Sequence, residues 1–156
     1  LDKLTQLHKA NQVIALVEKK QIKGPIQLKG KMTLCLDGIQ DPGNLGTIIR
    51  TADWFGLDQI VVSADTASCY NPKVVQATMG SLARVKVHYL DLEKEIQKAN
   101  LPVFGTFMDG SNIYQEALPK EGVIVMGNEA NGISLELEKL IKNKFHKDFI
   151  NFSYDL

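Results

Sequence analysis

The amino-acid sequence predicts an α/β domain with a mostly parallel sheet and helices on both of its faces. Short apolar runs such as MTLCL, QIVVS and GVIVM have the length of strands. They alternate with longer segments that carry helical periodicity or helix-capping residues, and this alternation is typical of a parallel sheet covered on both faces. At 156 residues, the chain is long enough for one such domain with a sizeable core.

The predicted elements follow in chain order. Residues 1–10 are predicted to be the remnant of a helix, and the apolar segment 13–17 is either a strand or a helix. Gly24, Pro25 and Gly30 predict a loop or linker over 21–31. Strands are predicted at 32–36, 59–63, 84–89, 101–106 and 122–126, and helices after Asn44 and at 71–79, 91–99 and 134–143. We therefore expect residues 1–20 to be a remnant of an N-terminal domain or a linker, followed by one domain over 21–156.

The composition limits the classes of function. Lysine plus arginine and aspartate plus glutamate both total 18, so the net charge is zero, which argues against a general polyanion binder but leaves room for a local basic patch. The sequence shows neither a membrane-span run nor a signal peptide, and we expect a cytoplasmic protein. Cys35 and Cys69 are far apart, which predicts free thiols. Because His8, His88 and His146 do not cluster with acidic residues or cysteines, we expect no metal.

The loop after the strand at 32–36 carries the first candidate site, because ligands of parallel sheets bind beyond the carboxyl ends of the strands. It reads DGIQDPGNLGTIIR over residues 37–50. Pro42 and Gly43 predict a tight turn, Asn44 is predicted to cap the following helix, and Gly56 is predicted to end it. The buried face of that helix is predicted to consist of Leu45, Ile48, Ala52 and Phe55.

Arg50 lies six residues beyond Asn44, and at about 100° per residue it points away from the predicted buried face. Two interpretations stay open from the spacing alone. Arg50 is either a solvated arginine on an exposed helix face or an anion clamp. As a clamp, its planar guanidinium would hold a phosphate with two donors, beside a helix N terminus that already favours negative charge.

A second candidate loop follows the strand at 122–126 and reads GNEANGIS over residues 127–134. Gly127 and Gly132 allow the backbone to approach a ligand closely. Asn128 and Glu129 place polar groups at the end of the strand, and Ser134 can cap the next helix. Taken alone, this loop is a weak glycine-rich signal, and a purely structural role explains it as well.

The two loops together resemble a known family. N-x-G-x-x-x-R at 44–50 and G-N-E-x-x-G-I-S at 127–134 are similar to the first two motifs of the SPOUT class, in its SpoU/TrmH branch of RNA ribose 2′-O-methyltransferases. The stretch NPKVVQATMG at 71–80 resembles the family segment between those motifs. The resemblance implies S-adenosylmethionine as cofactor and rRNA or tRNA as substrate. It also implies a catalytic domain over 21–156, a C-terminal trefoil knot, and a homodimer with its active site near the subunit interface.

The resemblance also implies the site residues. Asn44, Arg50 and Glu129 correspond to the catalytic positions of the two motifs. The predicted cofactor-binding residues are Gly127, Thr106, Asn128, Gly132 and Ile133. No metal is implied, because the sulfonium of S-adenosylmethionine is itself the electrophile.

The reaction implied by the resemblance needs help for the nucleophile, because a ribose hydroxyl is a poor acid. A guanidinium is a poor base, so our hypothesis is that Arg50 holds a substrate phosphate and stabilises oxyanion character. The proton would leave through Glu129, a water or the phosphate itself. Two roles for Glu129 stay open, proton acceptor or structural bridge to the amides of its own loop.

The resemblance breaks at the C terminus. Members of the family carry a third motif with an Ile-Pro pair and a later Ser-Leu-Asn, and NKFHKDFINFSYDL at 143–156 contains neither. Three explanations stay open: a shortened chain, a segment missing near Lys144, or a degenerate member. A noncatalytic RNA- or cofactor-binding relative and an unrelated α/β nucleotide-binding domain therefore remain as alternative functions.

Overall fold

The computed structural model describes residues 17–19, 22 and 25–146. The helix remnant predicted at 1–10, most of the segment 13–17, and the last ten residues of the chain lie outside the described residues. The implied trefoil knot and the explanation of the missing third motif depend on that C-terminal segment, so both stay predictions.

The described residues form seven strands, four α-helices and two short 3₁₀ helices, Ser81–Ala83 and Ile113–Gln115. The strands are β1 (Met32–Leu36), β2 (Gln59–Val62), β3 (Lys86–Tyr89), β4 (Val103–Phe107), β5 (Ser111–Asn112), β6 (Gly122–Met126) and β7 (Asn143–His146). The helices are α1 (Pro42–Trp54), α2 (Pro72–Ala77), α3 (Leu92–Ala99) and α4 (Leu135–Glu138). None of these helices is long and apolar enough to cross a membrane.

All seven strands lie in one parallel sheet with the order β3-β2-β1-β6-β4-β7-β5. The predicted parallel sheet is confirmed. The chain moves outward from β1 to β2 and β3, and then crosses to the other side of β1. As a result, β6 pairs directly with β1, with Met32 opposite Gly122 and Leu36 opposite Met126. Loops leaving these two central strands start as neighbours, which is where α/β sheets place their ligands.

Successive strand residues point to opposite faces and build two separate hydrophobic cores. On one face, Cys35 and Val61 pack with side chains of α3 and α4. On the other face, Leu36 and Val62 pack with side chains of α1 and α2. The predicted cover of helices on both faces is therefore confirmed. Cys35 and Cys69 are free and buried, and burial raises the pKa of both thiols, to about 12 for Cys35.

Asp41 caps α1, and the prediction that Asn44 does so is wrong. The Asp41 side chain accepts the N–H of Asn44 at 2.8 Å, and Pro42 occupies the first turn, where a missing N–H costs nothing. Asp41 and Asn44 are both residues that can cap a helix. Pro42 favours Asp41 as the cap, because the fixed φ of proline suits the first helical position. The Asn44 side chain is consequently left available for a contact outside the helix.

The buried face of α1 differs in part from the predicted one. Leu45 and Ala52 are buried as predicted, together with Ile49. Phe55 is 78% exposed, because the helix ends at Trp54 and residue 55 has left the helical path. Gly56 follows with a φ of 74°, which confirms it as the residue that ends the helix.

Gly46 lets α2 pack closely on α1, which gives a first testable prediction. A Cβ at this position would lie 2.4 Å from the Cβ of Ala77 and 3.0 Å from the carbonyl oxygen of Val74. Gly46→Ala is expected to lower the free energy of unfolding by about 1–3 kcal/mol, because overpacking outweighs the better helix propensity of alanine. Urea denaturation measures the change. The double variant Gly46→Ala/Ala77→Gly should recover part of the loss, and a more stable single variant would contradict the packing argument.

The helix predicted at 134–143 is wrong in its second half. α4 covers only Leu135–Glu138, and Asn143–His146 forms β7, which inserts between β4 and β5. Phe145 is buried and stacks on Phe104 with ring centroids 5.2 Å apart. The run NKFH has no strand-like local pattern, so pairing with β4 and β5 on both sides determines its conformation.

Candidate functional site

The candidate site lies where β1, β4 and β6 end. The N–H of Asp37 continues the pairing of β1 with β6 by donating to the carbonyl oxygen of Met126 at 2.8 Å. The first loop (residues 37–44) and the second loop (residues 127–134) therefore leave the sheet side by side. The end of β4 lies on the other side of β6. The register of the three strands brings the first loop together with two segments that lie about 70–90 residues further along the chain.

The second loop is a closed turn held by its own backbone and by one side chain. Asn128 and Gly132 exchange backbone hydrogen bonds of 2.8 and 2.9 Å. The Oδ1 atom of Asn128 accepts the N–H groups of Ala130 at 2.8 Å and of Asn131 at 3.1 Å. Gly127 leaves no room for a side chain, since a Cβ there would lie 2.2 Å from the carbonyl carbon of Gly132. The bridge to the amides of the loop, which was one of the two roles left open for Glu129, is made by Asn128.

Two further hydrogen bonds join the loops to each other. The Asn128 side chain donates from Nδ2 to the carbonyl oxygen of Gly38 at 2.7 Å. Asp37, only 9% exposed, accepts the N–H of Ser134 on Oδ2 at 2.7 Å and so holds the start of α4. Sequence reasoning assigned no role in the site to Asp37. The available signal was an acidic residue placed directly after a buried strand.

The structure brings Asn44 and Glu129 into contact. The Nδ2 of Asn44 donates a short hydrogen bond to Oε1 of Glu129, although 85 residues separate them in the chain. Both side chains line a small cavity of about 200 Å³ between the two loops, together with Asp41, Asn128 and Ala130. The first and second motifs therefore meet through their polar side chains.

A larger cavity of about 520 Å³ opens on the other side of the second loop. All five predicted cofactor-binding residues line it: Gly127, Thr106, Asn128, Gly132 and Ile133. Its volume falls in the range of small-molecule sites. The two cavities share Asn128, Glu129 and Ala130, so the second loop forms the wall between them.

Three residues outside the second loop also line the larger cavity and were missed from the sequence. Phe107 and Met108 directly follow Thr106 at the end of β4, and the alternation of the strand could have indicated them. His146 is the last residue of β7, and no sequence signal pointed to it, because no strand was predicted after the helix at 134–143. Phe107 and Met108 give the cavity an apolar wall opposite the polar loop, and His146 adds an imidazole.

Arg50 lies outside both cavities. It is exposed on α1, and its guanidinium makes no hydrogen bond or ion pair with the part of the chain that the structure describes. At 1.5 Å per residue it stands about 9 Å further along the helix axis than Asn44. Of the three predicted catalytic residues, the structure of one chain thus joins two and leaves the third on the surface.

No group of three or more histidine, cysteine, aspartate or glutamate side chains in the described ranges could hold a metal ion. The polar groups of the site are side-chain amides, the carboxylates of Asp37, Asp41 and Glu129, the side chains of Thr106 and His146, and backbone groups. Such a set suits hydrogen bonding to an organic ligand.

The profile of the SpoU rRNA Methylase family matches residues 31–146, which include both loops and every strand of the sheet. The chain belongs to the SpoU family. This membership agrees with the resemblance of the two motifs, and the parallel sheet agrees with the folds of solved members.

Named relatives of this SpoU-family chain are RNA methyltransferases. The 23S rRNA (guanosine(2553)-2′-O)-methyltransferase RlmP of Bacillus subtilis is 36% identical over 111 residues, which are 69% of this chain and 45% of the relative. The 23S rRNA (guanosine-2′-O-)-methyltransferase RlmB of Pseudomonas putida is 33% identical over 78% of this chain and 54% of the relative. The chain spans about half the length of the curated relatives it matches.

A solved relative carries the cofactor of its family. The AdoMet-bound rRNA methyltransferase of Sinorhizobium meliloti superimposes with a TM-score of 0.73 and is 32% identical, covering 88% of this chain and 56% of that protein. The SpoU-family fold of the chain is thus shown by sequence and by structure.

The Asn128 bridge gives a second testable prediction. Asn128→Asp keeps an oxygen for the amides of Ala130 and Asn131 but cannot donate to the carbonyl oxygen of Gly38. Placing a carboxylate against that carbonyl is expected to lower the free energy of unfolding by about 1–3 kcal/mol. The midpoint of urea unfolding reports the change. Asn131→Asp, the same chemical change at an exposed position of the same loop, should stay within about 0.5 kcal/mol of the parent, and equal effects of the two would contradict the bridge.

Proposed function

We propose that residues 21–156 form the catalytic domain of an RNA methyltransferase that transfers a methyl group from S-adenosylmethionine to a ribose 2′-hydroxyl of rRNA or tRNA. The observation that carries the proposal is the contact between Asn44 and Glu129 at the wall between two cavities. One cavity has the size of a small-molecule site, and the other opens toward the surface beside the first loop. Membership of the SpoU family and the names of the relatives support the same reaction.

The larger cavity fits S-adenosylmethionine in its chemistry. Phe107, Met108 and Ile133 form an apolar wall suited to the adenine, and Thr106 with the backbone of the second loop supplies polar groups for the ribose and the amino-acid part. Glu129 adds a carboxylate on the side where a positively charged sulfonium is favoured. When bound there, S-adenosylmethionine supplies an electrophilic methyl group to an incoming hydroxyl.

Glu129 is the group best placed to take the proton of the ribose hydroxyl. Its Oε1 accepts from Asn44, which orients the carboxylate, and the rest of the side chain is exposed at the cavity wall. A positioned carboxylate within reach of a hydroxyl acts as a general base. Asn44 is then a positioning residue for Glu129.

Arg50 is assigned to the RNA phosphate. The chain contains two arginines, Arg50 and Arg84. Arg84 is engaged by Asp53 through contacts of 2.6 and 2.9 Å, which hold the pKa of that carboxyl below its usual value. The guanidinium N–H donors of Arg50 are available to bind an external anion. Its positive charge would also favour oxyanion character on the attacking oxygen.

A homodimer is part of the proposal. α1 ends in two exposed aromatic side chains, Trp54 at 83% and Phe55 at 78% exposure. Covering them against a second copy removes apolar area from water. Because Arg50 lies one turn before Trp54 on the same helix, such a contact would bring the arginine close to the subunit interface and to the site.

Two measurements test the proposed function. Titration calorimetry with S-adenosylmethionine tests the larger cavity, and transfer of a labelled methyl group to rRNA and tRNA from cells that lack this gene tests the reaction. We expect binding and transfer, with the label resistant to alkaline cleavage as a 2′-O-methyl group. Binding without transfer would favour the noncatalytic relative, and absence of both would remove the cofactor assignment. Glu129→Gln should bind the cofactor and lose about 100-fold or more in rate.

A further inference from the structure

A third cavity, of about 490 Å³, lies on the opposite half of the sheet and shares no residue with the two cavities of the candidate site. It runs along β3, the edge strand of the described sheet, and reaches the loop that follows β2. Its floor is apolar and includes Leu82, Val85 and Val87, and its wall includes Tyr70 and Tyr89. We refer to it below as the β3 groove.

The wall of the β3 groove is held in place by Tyr89. Its hydroxyl donates to the carbonyl oxygen of Ala67 at 2.6 Å and accepts the N–H of Cys69 at 2.6 Å. Burial raises the pKa of Tyr89, so the hydroxyl stays protonated near neutral pH. These two hydrogen bonds join β3 to the loop that follows β2, so the groove is already formed without a ligand.

Two lysines lie at the β3 groove, in a chain of zero net charge. Lys86 lines it and is exposed, and the Nζ of Lys19 lies 5.3 Å from the ring centroid of Tyr70. No aspartate or glutamate is among the described residues that line it. The acidic side chain that interacts with Lys86 is Asp58, and its carboxylate is already paired with Lys31 at 2.7 Å. This is a local basic patch of the kind that the composition leaves open.

We propose that the β3 groove binds an unpaired nucleotide of the RNA that flanks the methylated one, with its base against Tyr70 and its phosphate between Lys19 and Lys86. The inference rests on the proposed function and extends it to a second RNA contact. Aromatic faces combined with lysines above an apolar floor are the chemistry of single-strand nucleic-acid sites, in which stacking and phosphate contacts act together. The ammonium of Lys19 lies over the Tyr70 ring, so the positive charge and the aromatic ring that the nucleotide would contact are next to each other.

The position of the β3 groove suits a continuous RNA strand. The groove reaches the carboxyl end of β3, and the candidate site lies at the same ends of β1 and β6 in the order β3-β2-β1-β6. Neighbouring strands are about 4.8 Å apart, so the two sites are separated by about 10–15 Å along one edge of the sheet. A few nucleotides span that distance.

The direct test is amide NMR of the full ¹⁵N-labelled chain with a single-stranded RNA hexamer of uridines. Shifts are expected at residues 68–70 and 86–89, and inorganic polyphosphate should not reproduce them. Shifts confined to residues 127–134, or equal shifts with polyphosphate, would overturn the assignment of a nucleotide.

Charge and stacking variants separate the two parts of the contact. Lys19→Glu/Lys86→Glu is expected to weaken hexamer binding about tenfold and to reduce the slope of log Kd against log salt by about 0.7 for each lysine. Tyr70→Leu should weaken binding about tenfold, whereas Tyr70→Phe should bind normally. The matched control is Lys120→Glu/Lys142→Glu, an equal charge change at exposed positions that precede β6 and β7 and line neither the groove nor the candidate site. If the control weakens binding as much as the groove pair, the inference fails.

Methyl transfer distinguishes this inference from the proposed function. In the enzyme, the groove variants should raise KM for RNA with kcat and S-adenosylmethionine affinity unchanged. Unchanged KM with normal transfer would refute the groove and leave the reaction standing. Hexamer binding at the groove without transfer to any RNA would refute the reaction and leave the groove as a nucleotide site.

Discussion

Replacing Arg50 by lysine is expected to lower kcat about 100-fold or more while RNA affinity changes less than about threefold. Lysine keeps the positive charge that attracts the phosphate, but it is a point charge and cannot present two parallel donors in a fixed plane. The loss should therefore fall on the step in which oxyanion character develops. Single-turnover methyl transfer at saturating S-adenosylmethionine measures the rate, and filter binding measures the affinity.

Arg84→Lys is the matched control for Arg50→Lys, because these two positions hold all the arginine in the chain. Arg84 is committed to Asp53 on the surface, so its replacement should leave methyl transfer unchanged. Normal turnover of the Arg50→Lys variant would show that the two-donor geometry is unnecessary. An equal loss of RNA affinity and rate would instead assign Arg50 to binding alone.

Gly127→Ala is expected to remove S-adenosylmethionine binding, with affinity reduced by more than about 100-fold, and to destabilise the domain by about 1–3 kcal/mol. The new methyl group would lie 2.2–2.4 Å from the backbone of Gly132 and Ile133. Backbone cannot yield as a flexible side chain does, so the closed turn has to open. The opening would displace the loop that forms the wall of the larger cavity.

Gly132→Ala separates this clash from general loop strain. Gly132 has a φ of 71°, and no atom lies close to where a Cβ would be. Alanine there should lower the free energy of unfolding by about 1–2 kcal/mol, because an L-residue must adopt the left-handed conformation. We expect Gly132→Ala to bind S-adenosylmethionine with at most a tenfold loss. Calorimetry on both variants, with urea unfolding beside it, makes the comparison. Similar affinities for the two variants would show that the close approach at Gly127 is irrelevant to the cofactor.

Much of the sheet could be read from local chemistry. The strands at 32–36 and 122–126 were predicted to the residue, because continuous runs of β-branched and other apolar side chains are bounded by glycine, lysine or aspartate. Other elements were predicted with ends displaced by one to three residues, as for α2 and β3. The exact end of a helix depends on which of several adjacent residues caps it. In α1 the cap is Asp41, followed by Pro42, and not Asn44.

The elements that were predicted wrongly depend on contacts with residues distant in the chain. β7 is polar and short, and it becomes a strand because β4 and β5 offer open edges on both sides of it. Phe55 fits the helical spacing of the core residues, yet the helix ends one residue before it. In both cases the local pattern was compatible with two conformations, and tertiary pairing or helix termination selected one.

The sequence by itself determined the family, the parallel α/β architecture and the two loops, because short motifs and apolar runs encode local backbone requirements. Only the tertiary structure decided that Asn44 meets Glu129, that Asn128 and Asp37 join the loops, and that Arg50 lies outside both cavities. These relations follow from the order of strands in the sheet, since β1 and β6 become neighbours only after the chain has crossed from one half to the other. Contacts between segments that such a crossing brings together do not produce a periodic pattern in the sequence.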